Sequence, residues 1–122
     1  MVEVICDTSF LIHLATNRIL NYERFDIDMG CLKFLVPNVV LNELLKLKED
    51  KQKKWNIEKT LEYIKNFKII YINGNFADKE ILNFIKLNPS IVGTMDKELK
   101  KNIKNNGGTI ISFHNDNLVL ES

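Results

Sequence analysis

Short apolar runs alternate along this chain with longer stretches whose apolar residues recur at helical spacing. A run of four to six apolar residues that ends at a polar or glycine residue predicts a buried strand. Repeats at i, i+3, i+4 and i+7 predict helices between these runs. The pattern predicts five strands and a short tail strand, which cover Val2–Cys6, Leu32–Val36, Lys68–Ile72, Ile91–Gly93, Thr109–Ser112 and, for the tail, Leu118–Leu120.

Strands that alternate with helices favour a parallel sheet with right-handed crossover connections. We therefore predict an α/β fold, a three-layer α/β/α sandwich with a mainly parallel five-stranded sheet. The length of 122 residues suits one domain, so residues 1–122 are expected to form a single unit. No repeat, linker or low-complexity segment interrupts the pattern.

Composition and charge are ordinary, which narrows the function only by exclusion. Hydrophobic residues make up 45% of the chain and charged residues 27%, and the net charge is +1. Two cysteines are too few for a disulfide framework or a zinc site. The N-terminus lacks the basic segment of a signal peptide, and no apolar stretch approaches the roughly 18 residues of a membrane helix. We expect a cytoplasmic protein without a membrane partner.

Two of the predicted strands are followed closely by an aspartate and then by a helix. Asp7 directly follows Val2–Cys6, and Asp96 follows Ile91–Gly93 after Thr94 and Met95. In open parallel sheets, ligands bind beyond the carboxyl ends of the strands, where both aspartates are expected. Either residue could also serve only as a helix N-cap.

Two further acids are predicted at the same edge. Glu43 falls within the apolar arc of the predicted helix Val39–Leu47, so it needs either a charged partner or a cleft to face. Asp78 stands in the first turn of the helix after Asn73–Asn75, where the helix dipole alone would favour an acid. A structural role and a functional role both remain open for these residues.

Asp7, Glu43, Asp78 and Asp96 together suit a hard cation, because carboxylate oxygens are the ligands that Mg²⁺ or Mn²⁺ prefers. Such ions keep several waters and are completed by substrate phosphates, which points to hydrolysis of a phosphodiester. Three hydroxyl side chains are placed to support the carboxylates or a phosphate: Thr8, Ser9 and Thr94. The chain contains no nucleophile elbow, phosphate-binding glycine loop or dinucleotide fingerprint.

Lysines form two candidate contacts for a phosphate backbone. A stripe at helical spacing follows Asp96 and consists of Lys97, Lys100, Lys101 and Lys104, while Lys46 opens the basic stretch Lys46–Lys54. The stripe could equally be the solvated face of its helix, whereas a basic stretch such as Lys46–Lys54 is usually a solvated loop.

Several element boundaries are predicted from local signals. Pro37-Asn38 is a helix opening with Asn38 as the cap, and Asn75 is expected to cap the helix that carries Asp78. We predict a helix over Trp55–Phe67 and a last helix from Asp96 to about Asn106, which stops at Gly107-Gly108.

The acidic segments together resemble a PIN domain, the nuclease fold of toxin ribonucleases and ribosomal-RNA-processing endonucleases. The resemblance spans nearly the whole chain and rests on Val4–Leu11, Val36–Leu44, Ala77–Leu82 and Ile91–Leu99, with the run through Gly107 to Ile111. The four acids of the family motif fall on Asp7, Glu43, Asp78 and Asp96. The chain departs from the family at Met95, where Asn is frequent, and at Lys79, where a second acid is frequent.

The resemblance implies a Mg²⁺- or Mn²⁺-dependent endoribonuclease whose four acids hold the metal and carry out catalysis. The compact layout looks most like the small archaeal branch related to rRNA-processing nucleases, and RNA processing is therefore the expected role. A toxin ribonuclease with an antitoxin partner is the alternative, and so is a non-catalytic RNA-binding factor in ribosome assembly. Relatives of this kind commonly form homodimers, and a flap-type DNA nuclease is disfavoured by the short chain.

Overall fold

The computed structural model describes residues 1–121, so Ser122, the last residue of the predicted domain, lies outside the described residues. Six strands form one sheet in the order β3-β2-β1-β4-β5-β6. The strands are β1 (Val2–Cys6), β2 (Leu32–Pro37), β3 (Lys68–Ile70), β4 (Ile91–Gly93), β5 (Thr109–His114) and β6 (Asn117–Glu121). The helices are α1 (Thr8–Thr16), α2 (Tyr22–Met29), α3 (Asn38–Leu47), α4 (Lys54–Ile64), α5 (Ala77–Leu87) and α6 (Lys97–Asn105).

The first five strands are parallel to one another, and the helices lie on the two faces of the sheet. Right-handed crossovers from β1 through β3 run toward one edge, and those from β3 through β5 run the other way, which places α1–α4 and α5–α6 on opposite faces. The contacts agree, since α1, α3 and α4 pack together and α5 packs on α6. The predicted α/β/α fold class is confirmed.

The prediction of five main strands is corrected to six, because the short tail segment is a full member of the sheet. β6 pairs antiparallel with β5 over five residue pairs, from Ile110–Glu121 to His114–Asn117. Asn115 and Asp116 form the connecting turn with positive φ of 49° and 62°, the backbone of a tight hairpin. The Asn21 side chain donates to the Leu118 carbonyl and accepts from the Leu118 N–H, and so covers the outer edge of β6.

Two predicted helix caps are wrong, because neither Asn38 nor Asn75 is the N-cap of its helix. Pro37 is the N-cap of α3, and the Asn38 side chain accepts a hydrogen bond from the Ile72 N–H at 2.7 Å. This bond ties the segment after β3 to the start of α3. Phe76, not Asn75, is the N-cap of α5.

Two predicted element boundaries also shift, one at the end of α4 and one at the end of β3. The helix predicted over Trp55–Phe67 spans Lys54–Ile64, and Phe67 turns back to stack on Phe34 with ring centroids 6.0 Å apart. The strand predicted over Lys68–Ile72 ends at Ile70. As an edge strand, β3 pairs only with β2, and the last of these pairs joins Ile70 to Pro37, where β2 itself ends.

The core lies between the central strands and the helices on both faces. Phe10 of α1 is fully buried and its ring contacts Phe34 and Phe113. Gly93 admits this ring, because a Cβ atom at Gly93 would lie 2.8 Å from Phe10 Cδ2. Close packing of β4 against α1 thus fixes the position of the residues that follow both β1 and β4.

Within residues 1–121, the helices are all too short or too polar to cross a lipid bilayer.

Candidate functional site

The candidate site lies where the strand order reverses, between β1 and β4. In open α/β sheets this reversal opens a crevice at the carboxyl ends of the strands, and ligands bind there. Asp7 follows β1 directly, and its N–H donates to the Gly93 carbonyl at 3.0 Å. Asp7 and the turn Thr94–Asp96 are therefore adjacent across the two central strands.

Asp7 is the most enclosed acid of the site, with a relative exposure of 2%. Its Oδ1 atom accepts hydrogen bonds from the Phe10 N–H at 2.8 Å and from the Ser9 hydroxyl at 2.9 Å. Its Oδ2 atom accepts a hydrogen bond from the Thr94 hydroxyl. The bond from Phe10 makes Asp7 the N-cap of α1, so the structural role that the sequence allowed is present.

Burial raises the pKa of Asp7 to about 6, because the ionised carboxylate has lost most of its hydration. The hydrogen bonds from Thr94, Phe10 and Ser9 act in the opposite direction, and repulsion from Asp78 raises the pKa further. A cap alone does not require an aspartate this deeply buried. A positive charge nearby would stabilise the ionised form of Asp7 in this buried environment.

Two hydroxyl groups connect Asp7 to the turn after β4. The Thr94 hydroxyl, which is fully buried, donates to Asp7 and accepts from the Asp96 N–H at 3.0 Å. The Ser9 hydroxyl donates to Asp7 and accepts from the Met95 N–H at 3.1 Å. Ser9 and Thr94, both predicted as supporting residues, thus lock the acid to the backbone that carries Asp96.

Asp96 is the N-cap of α6 and uses one carboxylate oxygen for that purpose. Its Oδ1 atom accepts hydrogen bonds from the Glu98 N–H at 2.9 Å and the Leu99 N–H at 3.0 Å. Among residues 1–121, all hydrogen bonds to the Asp96 carboxylate reach Oδ1. The other oxygen is left for a ligand, so capping and ligand binding are compatible at this residue.

Asp78 lies between two depressions of the surface and lines both of them. The first depression measures about 320 Å³ and brings Asp78 together with Glu43 and Lys46 of α3. The second measures about 340 Å³ and brings Asp78 together with Asp96 and Glu98 of α6. We call the two depressions together the acidic groove, with Glu43, Asp78 and Asp96 along its length.

Partial burial raises the pKa of the Asp78 carboxyl above its ordinary value, and repulsion from neighbouring carboxylates raises it further. The neighbours responsible, in decreasing order, are Asp96, Glu43 and Glu98. None of these acids takes part in the ion pairs that residues 1–121 form. The groove therefore concentrates carboxylates that are not paired within the described residues, although Lys46 and Lys79 also line it.

Glu43 is exposed rather than buried, although helical spacing places it among apolar neighbours. Of the two alternatives that its position allowed, a charged partner or a cleft, the structure has the cleft: Glu43 faces the first depression. The buried apolar side chains of α3 lie beside the groove rather than around it. Glu43 can therefore fall within the apolar arc of the helix and still be exposed.

The chemistry of the groove suits a divalent cation, although the acids do not form a closed cage. Within residues 1–121, no three histidine, cysteine, aspartate or glutamate side chains are arranged to hold one ion together. Mg²⁺ is usually held by one or two carboxylates and completed by water and substrate phosphate, so a closed cage is not required. The Thr8 hydroxyl, buried beside Asp7 without a hydrogen-bond partner, is a further oxygen left unsatisfied.

The predicted lysines fall into two groups. Lys46 lines the first depression beside Glu43 and Asp78. The lysine stripe on α6 borders a shallow depression of its own, and two of its members are engaged elsewhere: Lys104 and Lys100 lie 2.9 and 3.3 Å from the Glu121 carboxylate.

Sequence reasoning did not assign a role to several residues that line the groove. Asn42, Asn75 and Phe76 border the first depression, and Glu98 borders the second. Glu98 could have been found from its position two residues after Asp96. Asn42 and Asn75–Phe76 come from different elements, so only their packing shows that they share a surface. Lys79, noted as a departure from the family pattern, lines the second depression.

Comparison with known proteins places the chain in a family. The model of the PIN like domain matches residues 4–115. Ribonuclease VapC4 of Methanocaldococcus jannaschii is 35% identical over 114 residues, which cover 87% of this chain and 86% of that protein.

Solved structures show the same fold at low sequence identity. The PIN domain endonuclease Utp24 superposes with a TM-score of 0.77 at 24% identity, covering 98% of this chain and 90% of that one. PAE2754 from Pyrobaculum aerophilum superposes with a TM-score of 0.52 at 20% identity, covering 89% and 83%. These two structural similarities show the fold alone. The family model and the match to VapC4 are similarities of sequence. The chain belongs to the PIN-like domain family, as its acidic segments predicted.

Proposed function

We propose that this protein is a metal-dependent endoribonuclease whose metal is held in the acidic groove. The observation that carries the proposal is Asp78, whose carboxyl is shared by two depressions and repelled by acids from α3 and α6. Uncompensated carboxylates of this kind are stabilised by a cation, and phosphate oxygens complete the shell of Mg²⁺ or Mn²⁺. The similarity to ribonuclease VapC4 supports RNA as the substrate.

In this proposal Asp78 and Asp96 are the principal ligands, with Glu43 on one side and Asp7 behind them. Mg²⁺ or Mn²⁺ would supply Lewis-acid polarisation of the scissile phosphate. Ser9 and Thr94 hold the Asp7 carboxylate in one orientation, as pre-organisation of a metal site requires.

The reaction is hydrolysis, in which a water oxygen bonds to phosphorus while the bond to one ribose oxygen breaks. The water proton must be accepted and the departing oxygen must gain one. Asp78 lines both depressions, so its carboxylate is placed to accept the proton of the attacking water, and a solvent water would supply the proton to the departing oxygen. Lys46 lies in the same depression and is placed to bind a phosphate oxygen of the RNA backbone.

Cleavage of RNA by the purified protein tests the proposal. We expect cleavage with Mn²⁺ or Mg²⁺, no cleavage with EDTA, and loss of activity in Asp7→Asn and Asp96→Asn. Asp28→Asn is the matched control, since Asp28 is an exposed acid of α2 that pairs with Arg24 outside the groove. Equal activity in EDTA, or in both Asp7→Asn and Asp96→Asn, would refute the nuclease. RNA binding without cleavage would instead favour the non-catalytic assembly factor.

The cellular role has two candidates. RNA processing is the role that the resemblance of the acidic segments predicts, and the 35% identity to a VapC ribonuclease favours a toxin with an antitoxin partner as the other. A small gene directly upstream whose product co-purifies with the protein and inhibits cleavage would establish the toxin, and its absence would favour processing. The homodimer remains a prediction, which sedimentation velocity tests.

A further inference from the structure

The first depression of the acidic groove contains more than acids and a lysine. Its walls also carry the amide side chains of Asn42 and Asn75 and the aromatic ring of Phe76. These are the groups that proteins use on unpaired nucleotides: amides for base edges, aromatic rings for base faces and lysine for phosphate. The depression therefore combines each kind of contact that one nucleotide offers.

Phe76 is not needed by the core of the fold. Its side chain is 72% exposed, and it belongs neither to the buried core nor to the apolar residues that pack against the core. Single exposed apolar residues are common on protein surfaces, and what distinguishes Phe76 is its place in the wall of the first depression, beside Lys46 and Asp78.

The backbone under this ring is held in place. The Glu80 carboxylate accepts a hydrogen bond from the Asn75 N–H at 3.2 Å, and the Glu80 N–H donates to the Phe76 carbonyl at 2.9 Å. Gly74 has a φ of 121°, a backbone conformation that residues with a Cβ atom rarely adopt, so glycine suits this turn. The attachment point of the ring is thus pre-organised before any ligand arrives.

We propose that Phe76 is the stacking platform for one unpaired nucleobase of single-stranded RNA, next to the phosphate that the acidic groove receives. Lys46 binds a phosphate oxygen of the same stretch of RNA, and Asn42 and Asn75 hydrogen-bond to the base edge or the ribose. The inference rests on RNA as the substrate of the proposed function. It makes the site selective for single strands, because bases within a duplex have both faces covered by their neighbours.

Binding of fluorescently labelled single-stranded RNA tests the platform without relying on cleavage. All variants are made in an Asp7→Asn background and measured by anisotropy with Mn²⁺, so that the RNA stays intact. Phe76→Ala and Phe76→Leu should each weaken binding roughly 5- to 150-fold, the range for loss of one stacked base. Phe76→Tyr and Phe76→Trp should restore it, because both keep an aromatic face.

Two controls separate stacking from a general loss of binding. Trp55→Ala removes an aromatic side chain of similar exposure, 70%, that lies outside the groove, and should leave the affinity unchanged. With an RNA of the same length that lacks bases, Phe76→Ala should have no effect, since the ring has nothing to stack on.

Several outcomes would overturn the platform. They are equal affinity of Phe76→Ala and its parent, rescue by Phe76→Leu, an equal loss on the base-free RNA, and a failure of the parent to prefer single strands over a duplex. Loss of binding to a co-purifying protein, with RNA affinity unchanged, would assign Phe76 to a protein interface instead. The nuclease proposal is judged separately by cleavage with the natural Asp7, so either idea can fail alone.

Discussion

Two charged clusters on this protein are built from similar residues and behave in opposite ways. In the acidic groove, Asp78 is repelled by acids from α3 and α6, and its pKa is raised. On the flank between α6 and β6, Glu121 accepts a hydrogen bond from Ser112 and pairs with Lys104 and Lys100. These contacts lower the pKa of Glu121 to about 2. We call this second cluster the paired flank.

The difference separates an acid that the chain itself pairs with cations from acids that it brings together without ion pairs. The paired flank satisfies its acid with cations supplied by the chain, and it fastens the last strand to the last helix. Lys46 and Lys79 line the acidic groove, but none of its acids forms an ion pair among residues 1–121, and the neighbouring carboxylates repel that of Asp78. Folding brings these acids together at a cost in free energy, which a bound cation would offset.

The largest expected difference between the two clusters is in catalysis. Asp78→Asn should lower the rate of RNA cleavage by roughly a hundredfold or more, because it removes the acid that both depressions share. Glu121→Gln should change the rate less than about twofold, since its carboxylate acts within the paired flank. Single-turnover cleavage rates measure both. A comparable loss in the two variants would erase the distinction.

The next effect is on stability, with the opposite sign from a typical buried substitution. The pKa of Asp7 is about 6 in the folded protein and 3.8 in its reference state, so the folded protein holds the proton more tightly. The ionised carboxylate therefore destabilises the fold above pH 6, and this penalty disappears as the pH falls toward 4.

Asp7→Asn should accordingly raise the free energy of unfolding in EDTA at pH 7.5 by at most about 3 kcal/mol, and the gain should vanish near pH 4. The lost acceptor for Thr94 reduces the gain. Urea denaturation across this pH range measures it. Greater stability of the natural protein at pH 7.5 would show that the hydrogen bonds outweigh burial.

A third comparison adds the metal. Mn²⁺ at about one hundred times its dissociation constant should stabilise the natural protein by roughly 2.7 kcal/mol, seen as a rise in Tm. Glu43→Gln and Asp78→Asn should reduce the rise, and Glu121→Gln should leave it intact. If the rise persists in both groove variants, the cation binds elsewhere.

The smallest effect belongs to the paired flank itself. Because the pKa of Glu121 is lowered, its pairing stabilises the fold above about pH 4.5 and is lost as the pH falls toward 2. Glu121→Gln should cost about 1 kcal/mol at pH 7 and low salt, since solvent screens these partly exposed pairs. In 1 M NaCl most of this cost should vanish, and an unchanged cost would assign it to the Ser112 hydrogen bond.

Local signals predicted much of the fold. The strand-acid-helix units at Asp7 and Asp96 follow from apolar runs that end at a capping residue, and both were correctly placed. Local signals failed for the caps of α3 and α5, because the Asn38 side chain bonds to distant backbone and Phe76 occupies the cap position predicted for Asn75. Asn38 is an example, since its partner is the Ile72 N–H, 34 residues away.

Sequence alone determined the alternation of strands and helices, the parallel sheet, and which acids stand at strand ends, because these depend on periodicity and capping over a few residues. Only the tertiary structure decided how those acids are shared. Strand order places α3, α5 and α6 around Asp78, pairs Glu121 with lysines of another element, and brings Phe76 beside Lys46. Such neighbours are set by packing across the sheet, which no local pattern encodes.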